Sequence, residues 1–480
     1  MFGPGNAIED GMLIYYYSFC SLLVITLILA WRTLPRSMAS SEPEIRWLTL
    51  TYLSAWYACV AGDWLQGPYV YVLYQAHGFE HHDIARLYVA GYTASMTFGT
   101  FVGSLGDRIG RKRCCQLYCI FFMASCFTAH FGSYSVLLLG RLLGGVATSL
   151  LFSGFEAWLV AEGSVRKQLS AEAISHIFAM MWWGSSVIGI LAGIAGDALA
   201  SAVPLTPVTT GASFFIGGYI NPFDFAIGVV AIGLTIISLK WNENLVELKE
   251  NQSSLQEGQE SAGPMMYINK GVMCIAGRRE LLILMAMASC FEGSMYAFVF
   301  SWTPALQNGH FTLPVGMIFA TFMMAYMCGS ATFELLRNFV SILRLMQITM
   351  LLGAASFATA AVAQVYGPSQ AVFLGFVIFE YCVGLYFPTV SVLKCAVVPE
   401  RLRSTIYNLF RVPTNAIIIS VLLTKLSTVT VFVLCFTLLM FAGTSTLQLP
   451  SGISEKEPPS ESTVIEAAVG KLPYGIDKAN

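Results

Sequence analysis

The chain has 480 residues, of which 56% are hydrophobic and only 11% charged, with a formal net charge of −2 and a mean hydropathy of +0.66. A soluble globular protein carries about a quarter charged residues, so the composition excludes that class and predicts an all-α polytopic membrane protein. The sparse, scattered Lys and Arg leave no basic patch for nucleic acid.

In chain order, apolar stretches at about residues 12–31, 47–76, 84–106, 114–131, 134–161, 170–198 and 222–241 are each long enough to cross about 30 Å of hydrocarbon as a helix. Six more follow a polar insert, at about 279–304, 314–336, 340–363, 370–395, 402–425 and 427–447, which makes thirteen predicted spans. The first opens on the acidic MFGPGNAIEDG and its cations follow the apolar run, the order of an uncleaved anchor rather than a signal peptide. Lys and Arg gather in alternate connections: Arg32 to Arg46, Arg108 to Arg113, Arg166 with Lys167, Lys240 to Arg279, Arg337 with Arg344, and Lys394 to Arg403. The intervening connections, such as HGFEHHD and YGPSQ, have none, apart from Lys425 in the last outer turn. The excess of cations in cytosolic loops then predicts an N-terminus outside and a cytosolic C-terminal tail; the plasma membrane is the expected setting, with an internal membrane the open alternative.

Without the first helix, twelve spans divide six and six around the polar NENLVELKENQSSLQEGQESAG. The predicted organisation is an extra N-terminal helix with its connection (1–46), a six-helix bundle (47–241), a linker (242–278), a second six-helix bundle (279–447) and a polar tail (448–480). The halves echo each other: Asp63 and Glu292 are each followed six residues later by an aromatic-Val-aromatic triplet, and Arg141 and Glu380 are each followed by a Gly four residues on. Parallel repeats of six spans are a recognised transporter layout.

Charge at bilayer depth is costly, by at least about 2.5 kcal/mol on insertion scales, so it faces a cavity or a partner rather than lipid. The deep set is Asp63, Arg141, Glu156, Glu292, Glu380 and Arg411. In STIYNLFRVPTNAII, Asn408, Arg411, Thr414 and Asn415 recur at helical spacing on one face. Gln66 lies one turn from Asp63, and Gly67-Pro68 predicts a kink just beyond. The alternative is a set of static ion pairs that fix helix packing, such as Arg141 with Asp63 or Glu380, although buried pairs rarely gain net stability. The outer-loop histidines, His130 among them, read as solvated, and Gly189, Gly193 and Gly196 as contacts for close helix packing. Neither a metal cluster nor a nucleophile constellation lies at depth, so no cofactor, no metal and no enzyme is expected; the twelve cysteines read as packing residues.

GSLGDRIGRKR, from Gly103 to Arg113, resembles the loop signature of the major facilitator superfamily, and GRLLGG from Gly140 is similar to its fourth-helix arginine motif. DWLQGPYVYVLYQ, LLFSGFEAWLV, FVFSWTPAL, GLYFPT and FRVP, with the extra N-terminal helix, resemble the molybdate-anion transporter family within that superfamily, over about residues 12 to 447. The resemblance implies a major facilitator fold of two six-helix bundles, alternating access, and an oxyanion site between the halves. It also implies a cytosolic gate at Gly103, Asp107, Arg108, Gly110 and Arg111. Molybdate only accepts hydrogen bonds, and guanidinium groups suit it. The expected substrate residues are therefore Arg141, Arg411, Asn408, Asn415 and Gln66, with Asp63, Glu292, Glu380 and Glu156 as a proton or ion-pair switch. The expected partners are the oxyanion and the lipid bilayer, with the protein a monomer; another anion such as sulfate, or a receptor without flux, remains open.

Overall fold

The computed structural model describes residues 4–33, 43–99, 109–209, 213–243, 264–307, 313–399 and 403–450. The helices are α1 (Pro4–Thr33), α2 (Pro43–Gln66), α3 (Val70–Ala76), α4 (His81–Gly99), α5 (Arg111–Thr128), α6 (Tyr134–Val160), α7 (Ala171–Ala202) and α8 (Asn221–Lys240). There follow α9 (Pro264–Gly277), α10 (Arg279–Leu306), α11 (Val315–Leu336), α12 (Ile342–Tyr366), α13 (Ser369–Val397), α14 (Arg403–Leu423) and α15 (Thr428–Thr446). A two-residue antiparallel pairing, Thr206–Pro207 with Phe215–Ile216, folds the α7–α8 connection into a hairpin.

Local chemistry sets the ends. Ser170, Ser341 and Ser427 cap α7, α12 and α15 by accepting a backbone N–H three residues on, at 3.2, 3.4 and 3.2 Å. A 3-10 turn over Gly67–Tyr69 separates α2 from α3, because Pro68 has no N–H to continue the α ladder. A π-helical turn, Ala161–Arg166, closes α6.

Among the described residues ten helices are long and apolar enough to cross a membrane, against the thirteen spans expected. Not among the ten are α2, α4 and α5, each of which carries charge: Arg46 and Asp63 in α2, Asp83 and Arg86 in α4, Arg111 to Arg113 in α5; the rest of the span expected over α4, residues 100–106, lies outside the described residues. In α2 the bulky Tyr52, Trp56 and Cys59 are fully enclosed, so this helix is held by protein contacts. By contrast, α1 presents Tyr17, Leu27, Ile28 and Trp31 outward, the surface that lipid requires. Residues expected to be linker form α9, whose Gly271 lies so close to α14 that a Cβ there would stand 2.9 Å from Thr405.

The chain forms two compact units. The first holds Met1–Glu257, Phe300–Cys328 and Leu422–Lys425; the second holds Gly258–Val299, Gly329–Val421 and Leu426–Asn480, so α10, α11 and α14 each contribute to both. In the first unit α2 packs on α7 and α8, α4 on α6, and α5 on both α6 and α8. In the second, α12 packs on α13 and α15, the pairing α5 makes with α6 and α8 one repeat earlier.

Candidate functional site

In the first unit Arg141 projects from α6 toward α4. Its guanidinium carbon lies 4.7 Å from the centroid of the Tyr88 ring. Gly91 of α4 leaves the space for it: a Cβ there would stand 3.0 Å from the guanidinium. One turn on, Gly145 meets the Gly91 carbonyl, so two glycines let α4 and α6 close on the arginine. The Tyr74 hydroxyl sits beside the guanidinium, yet Arg141 Nε is enclosed with no hydrogen-bond partner. Most buried donors are satisfied, which sets this N–H apart among the described residues.

The other first-unit candidates are arranged differently. Asp63, on α2, feels the charge of Arg141 but forms no ion pair with it among the described residues. Gln66 turns its amide back onto the Asp63 backbone carbonyl at 3.4 Å, and no contact joins it to Arg141. Glu156 lies on α6 fifteen residues beyond Arg141, about 22 Å along the axis, where it faces Tyr52 of α2. Arg141 and Asp63 therefore share one region, and Glu156 belongs to another.

In the second unit Glu292, midway along α10, accepts the Tyr386 hydroxyl at 3.1 Å and the Lys394 ammonium at 3.4 Å on the same oxygen, Oε1. Lys394 also lies over the rings of Tyr407 and Phe410 on α14, at 5.5 and 5.9 Å. Arg411 follows Phe410 and is exposed, and both Arg411 and Glu292 act on Tyr296. Asn408 and Asn415 are half-buried on the same helix. Glu380 is buried in α13 and makes no hydrogen bond or ion pair among the described residues. Lys394 was read from sequence as a helix-end cation marking the cytosolic side. Nothing in the local pattern shows that its stem folds back to Glu292, about a hundred residues away.

Of the expected gate residues, Gly103, Asp107 and Arg108 lie outside the described residues. Gly110 has φ +104°, a conformation that favours glycine, and the Glu243 carboxylate occupies the place a Cβ would take. Glu243 accepts the backbone N–H groups of Lys112 and Arg113, both at 3.3 Å, and so caps α5. Arg111 Nη1 donates to the Ala157 carbonyl at 3.0 Å, and Lys112 Nζ donates to the carbonyls of Ser238 and Trp241, each at 2.9 Å. The Gly-Arg-Lys segment thus ties the start of α5 to the ends of α6 and α8.

Two carboxylates central to this geometry escaped the sequence reading. Glu243 was assigned to the linker. Asp197, near the end of α7, accepts the Tyr69 hydroxyl at 3.0 Å and the Gly316 and Met317 backbone N–H groups at 2.8 Å each, capping α11. A carboxylate that caps a distant helix leaves no local spacing to detect. The small-residue reading of α7 matches what the structure shows: Gly189, Gly193 and Gly196 meet Met323, the Gly316 carbonyl and Tyr69. The histidine reading needs correction, because His130 is only 6% exposed and bonded at both ring nitrogens. No group of three or more His, Cys, Asp or Glu among the described residues is placed to hold a metal.

Long apolar helices over most of the described chain define an integral multi-pass membrane protein. The fold matches the crystal structure of a D-xylose-proton symporter at a TM-score of 0.63 and 10% identity, covering 85% of this chain and 99% of that one. It also matches the nucleoside transporter NupG at 0.57 and 14% identity, covering 89% and 100%. A family model described as sugar transporters, 12 TM, matches residues 14–387. The molybdate-anion transporter of Xenopus tropicalis is 32% identical over 389 residues, 79% of each chain, and that of Danio rerio 30% identical over 428 residues, 83% of this chain and 84% of that one. The chain belongs to the molybdate-anion transporter family of the major facilitator superfamily. It is a transporter and not an enzyme.

Proposed function

We propose that this protein takes up molybdate by alternating access, with Arg141 in the first unit and Arg411, Asn408 and Asn415 in the second as oxyanion ligands. The observation that carries this reading is the enclosed, unpartnered Nε of Arg141 beside Tyr74 and Tyr88. A planar guanidinium with a spare donor suits an acceptor-only tetrahedral anion. A neutral sugar, which offers donors as well as acceptors, makes less use of fixed cations, so an oxyanion is preferred to a sugar as the substrate. The names of the relatives agree with it.

Energetics ask for coupling. Carrying two negative charges into a negative interior costs on the order of 4.6 kcal/mol per 100 mV, from about 2.3 per charge. At least two cations per anion cancel that term. Asp63, Glu292, Glu380 and Glu156 are the proposed proton or ion-pair switch, Gln66 an accessory ligand, and Gly103, Asp107, Arg108, Gly110 and Arg111 the cytosolic gate. The proposed setting is a monomer in the plasma membrane with its N-terminus outside and its C-terminus in the cytosol.

The test is uptake of molybdate, with sulfate as competitor, into liposomes carrying the purified full chain, with and without an inward proton gradient. Saturable uptake driven by the gradient and lost in Arg411→Ala is the expected result. Uptake of sulfate in preference to molybdate would reassign the substrate, and the absence of any anion flux in the wild type would leave the receptor reading in its place.

A further inference from the structure

Lys394 lies in the last turn of α13, three residues before the helix ends at Val397. A lysine at such a position ordinarily extends its ammonium past the helix end toward headgroups and water. Here the side chain turns the other way. It reaches the oxygen that Tyr386 also reaches, although Tyr386 sits eight residues earlier, about 12 Å nearer the middle of the same helix. The α10 carboxylate they share is thirteen residues from the start of its own helix, about 20 Å along the axis.

The ammonium is poorly satisfied there. Its contact with Glu292 is long at 3.4 Å, and among the described residues Glu292 is the only hydrogen-bond acceptor it has. Its other near neighbours are the ring faces of Tyr407 and Phe410, which attract a cation but accept hydrogen bonds weakly. The side chains of Lys394 and Glu292 are 17% and 20% exposed, so the pair is only partly enclosed. Arg411 lies one residue beyond Phe410 on the helix that supplies both rings. Two cations and one carboxylate are thus gathered in one region, an excess of positive charge that a dianion would offset.

We infer that Lys394 is a contact for the transported oxyanion, held by Glu292 when the site is empty and by the anion when it is loaded. This rests on the oxyanion reading above. Glu292 is then a competitor for the ammonium, and Tyr386, which donates to the same oxygen, keeps a partner on the carboxylate once Lys394 leaves. A static ion pair makes the opposite prediction about paired substitutions. Removing one partner of such a pair strands a charge, and removing both restores a neutral site.

The experiment is molybdate uptake into liposomes by the full-length wild type, Lys394→Ala, Glu292→Gln and the double variant, with amine acylation of Lys394 measured by peptide mass with and without molybdate. Loss of a charge-assisted hydrogen bond should raise the KM of Lys394→Ala by about ten- to a hundredfold. The double variant should behave like Lys394→Ala, Glu292→Gln should lower KM, and molybdate should protect Lys394 from acylation in the wild type. A double variant restored to wild-type KM, or a Glu292→Gln KM raised as far as that of Lys394→Ala, would overturn the inference. If Lys394→Ala does not fold, Glu292→Gln and wild-type acylation decide: a raised KM, or no protection, sinks the assignment. Absence of molybdate uptake by the wild type removes the oxyanion reading itself, and Lys394 with it.

Discussion

The Asp197 carboxylate accepts the backbone N–H of Gly316 at 2.8 Å, and with the neighbouring Met317 N–H it closes the open N-terminus of α11 from a residue 119 positions earlier. A helix N-terminus leaves its first N–H groups without partners and carries partial positive charge, so a carboxylate there meets both needs. The backbones approach closely enough for this because Gly193 and Gly316 face each other with no side chain between them.

Asp197→Ala should therefore lower the thermal stability of the detergent-solubilised protein, by about 0.5–2 kcal/mol for a lost N-cap. Asp197→Asn, which keeps an acceptor but not the charge, should lose less. Equal losses for the two variants, read in one thermal melt series, would show that the cap contributes nothing specific.

His130 gives the α7–α8 hairpin a pH dependence. Its Nδ1 lies 2.9 Å from the Phe215 carbonyl and its Nε2 2.8 Å from Asp224 Oδ1; both partners accept, so this setting favours the protonated ring, which donates from both nitrogens. Burial opposes that charge, but the Asp224 hydrogen bond, the Phe215 carbonyl and the Asp224 charge outweigh it and lift the His130 pKa above the ordinary value. A folded-state pKa above the unfolded one stabilises fully below the unfolded value, about 6.5, and the gain is lost as pH rises through the folded value. The neighbouring His77 is held below its ordinary value, by burial first and by His130 among the lesser causes, so its effect has the opposite slope and falls below about pH 6.5. The melting temperature should thus fall as pH rises above about 6.5, and His130→Gln should flatten that limb. A wild-type limb unchanged by His130→Gln would refute the assignment.

Gly110→Ala places a Cβ at φ +104° and into the Glu243 carboxylate. A non-glycine residue held in such a conformation costs of order 1–3 kcal/mol, and displacing Glu243 uncaps α5. Reduced recovery of folded protein and a lower melting temperature are expected. Adding Glu243→Ala should relieve the clash but not the backbone strain, so the double variant should recover only part of the loss. Full recovery would place the whole effect in the carboxylate contact.

Arg141→Lys keeps the charge but loses the planar fork that lies over Tyr88 and the Nε–H that has no protein partner. Its molybdate KM should rise about tenfold or more, the effect of one charge-assisted hydrogen bond, with little change in melting temperature. A KM equal to wild type would mean that charge alone suffices at this position.

Hydropathy is readable along one dimension, so the sequence by itself determined the membrane class and the all-helical fold, and it raised the expectation of a two-fold repetition and of deep charges at Asp63, Arg141, Glu292 and Glu380. Helical spacing likewise placed Asn408, Arg411 and Asn415 on one face. Only the tertiary structure decided which charges meet, because that depends on helix rotation and on where a flexible side chain points. Lys394 reads as a helix-end cation until its stem is seen folded back to Glu292. Asp197 carries no signal in the sequence and Glu243 falls in the expected linker, until both are found capping helices more than a hundred positions away. Capping satisfies backbone groups, and the backbone is the same at every position, so no residue pattern at the capped helix announces its distant partner.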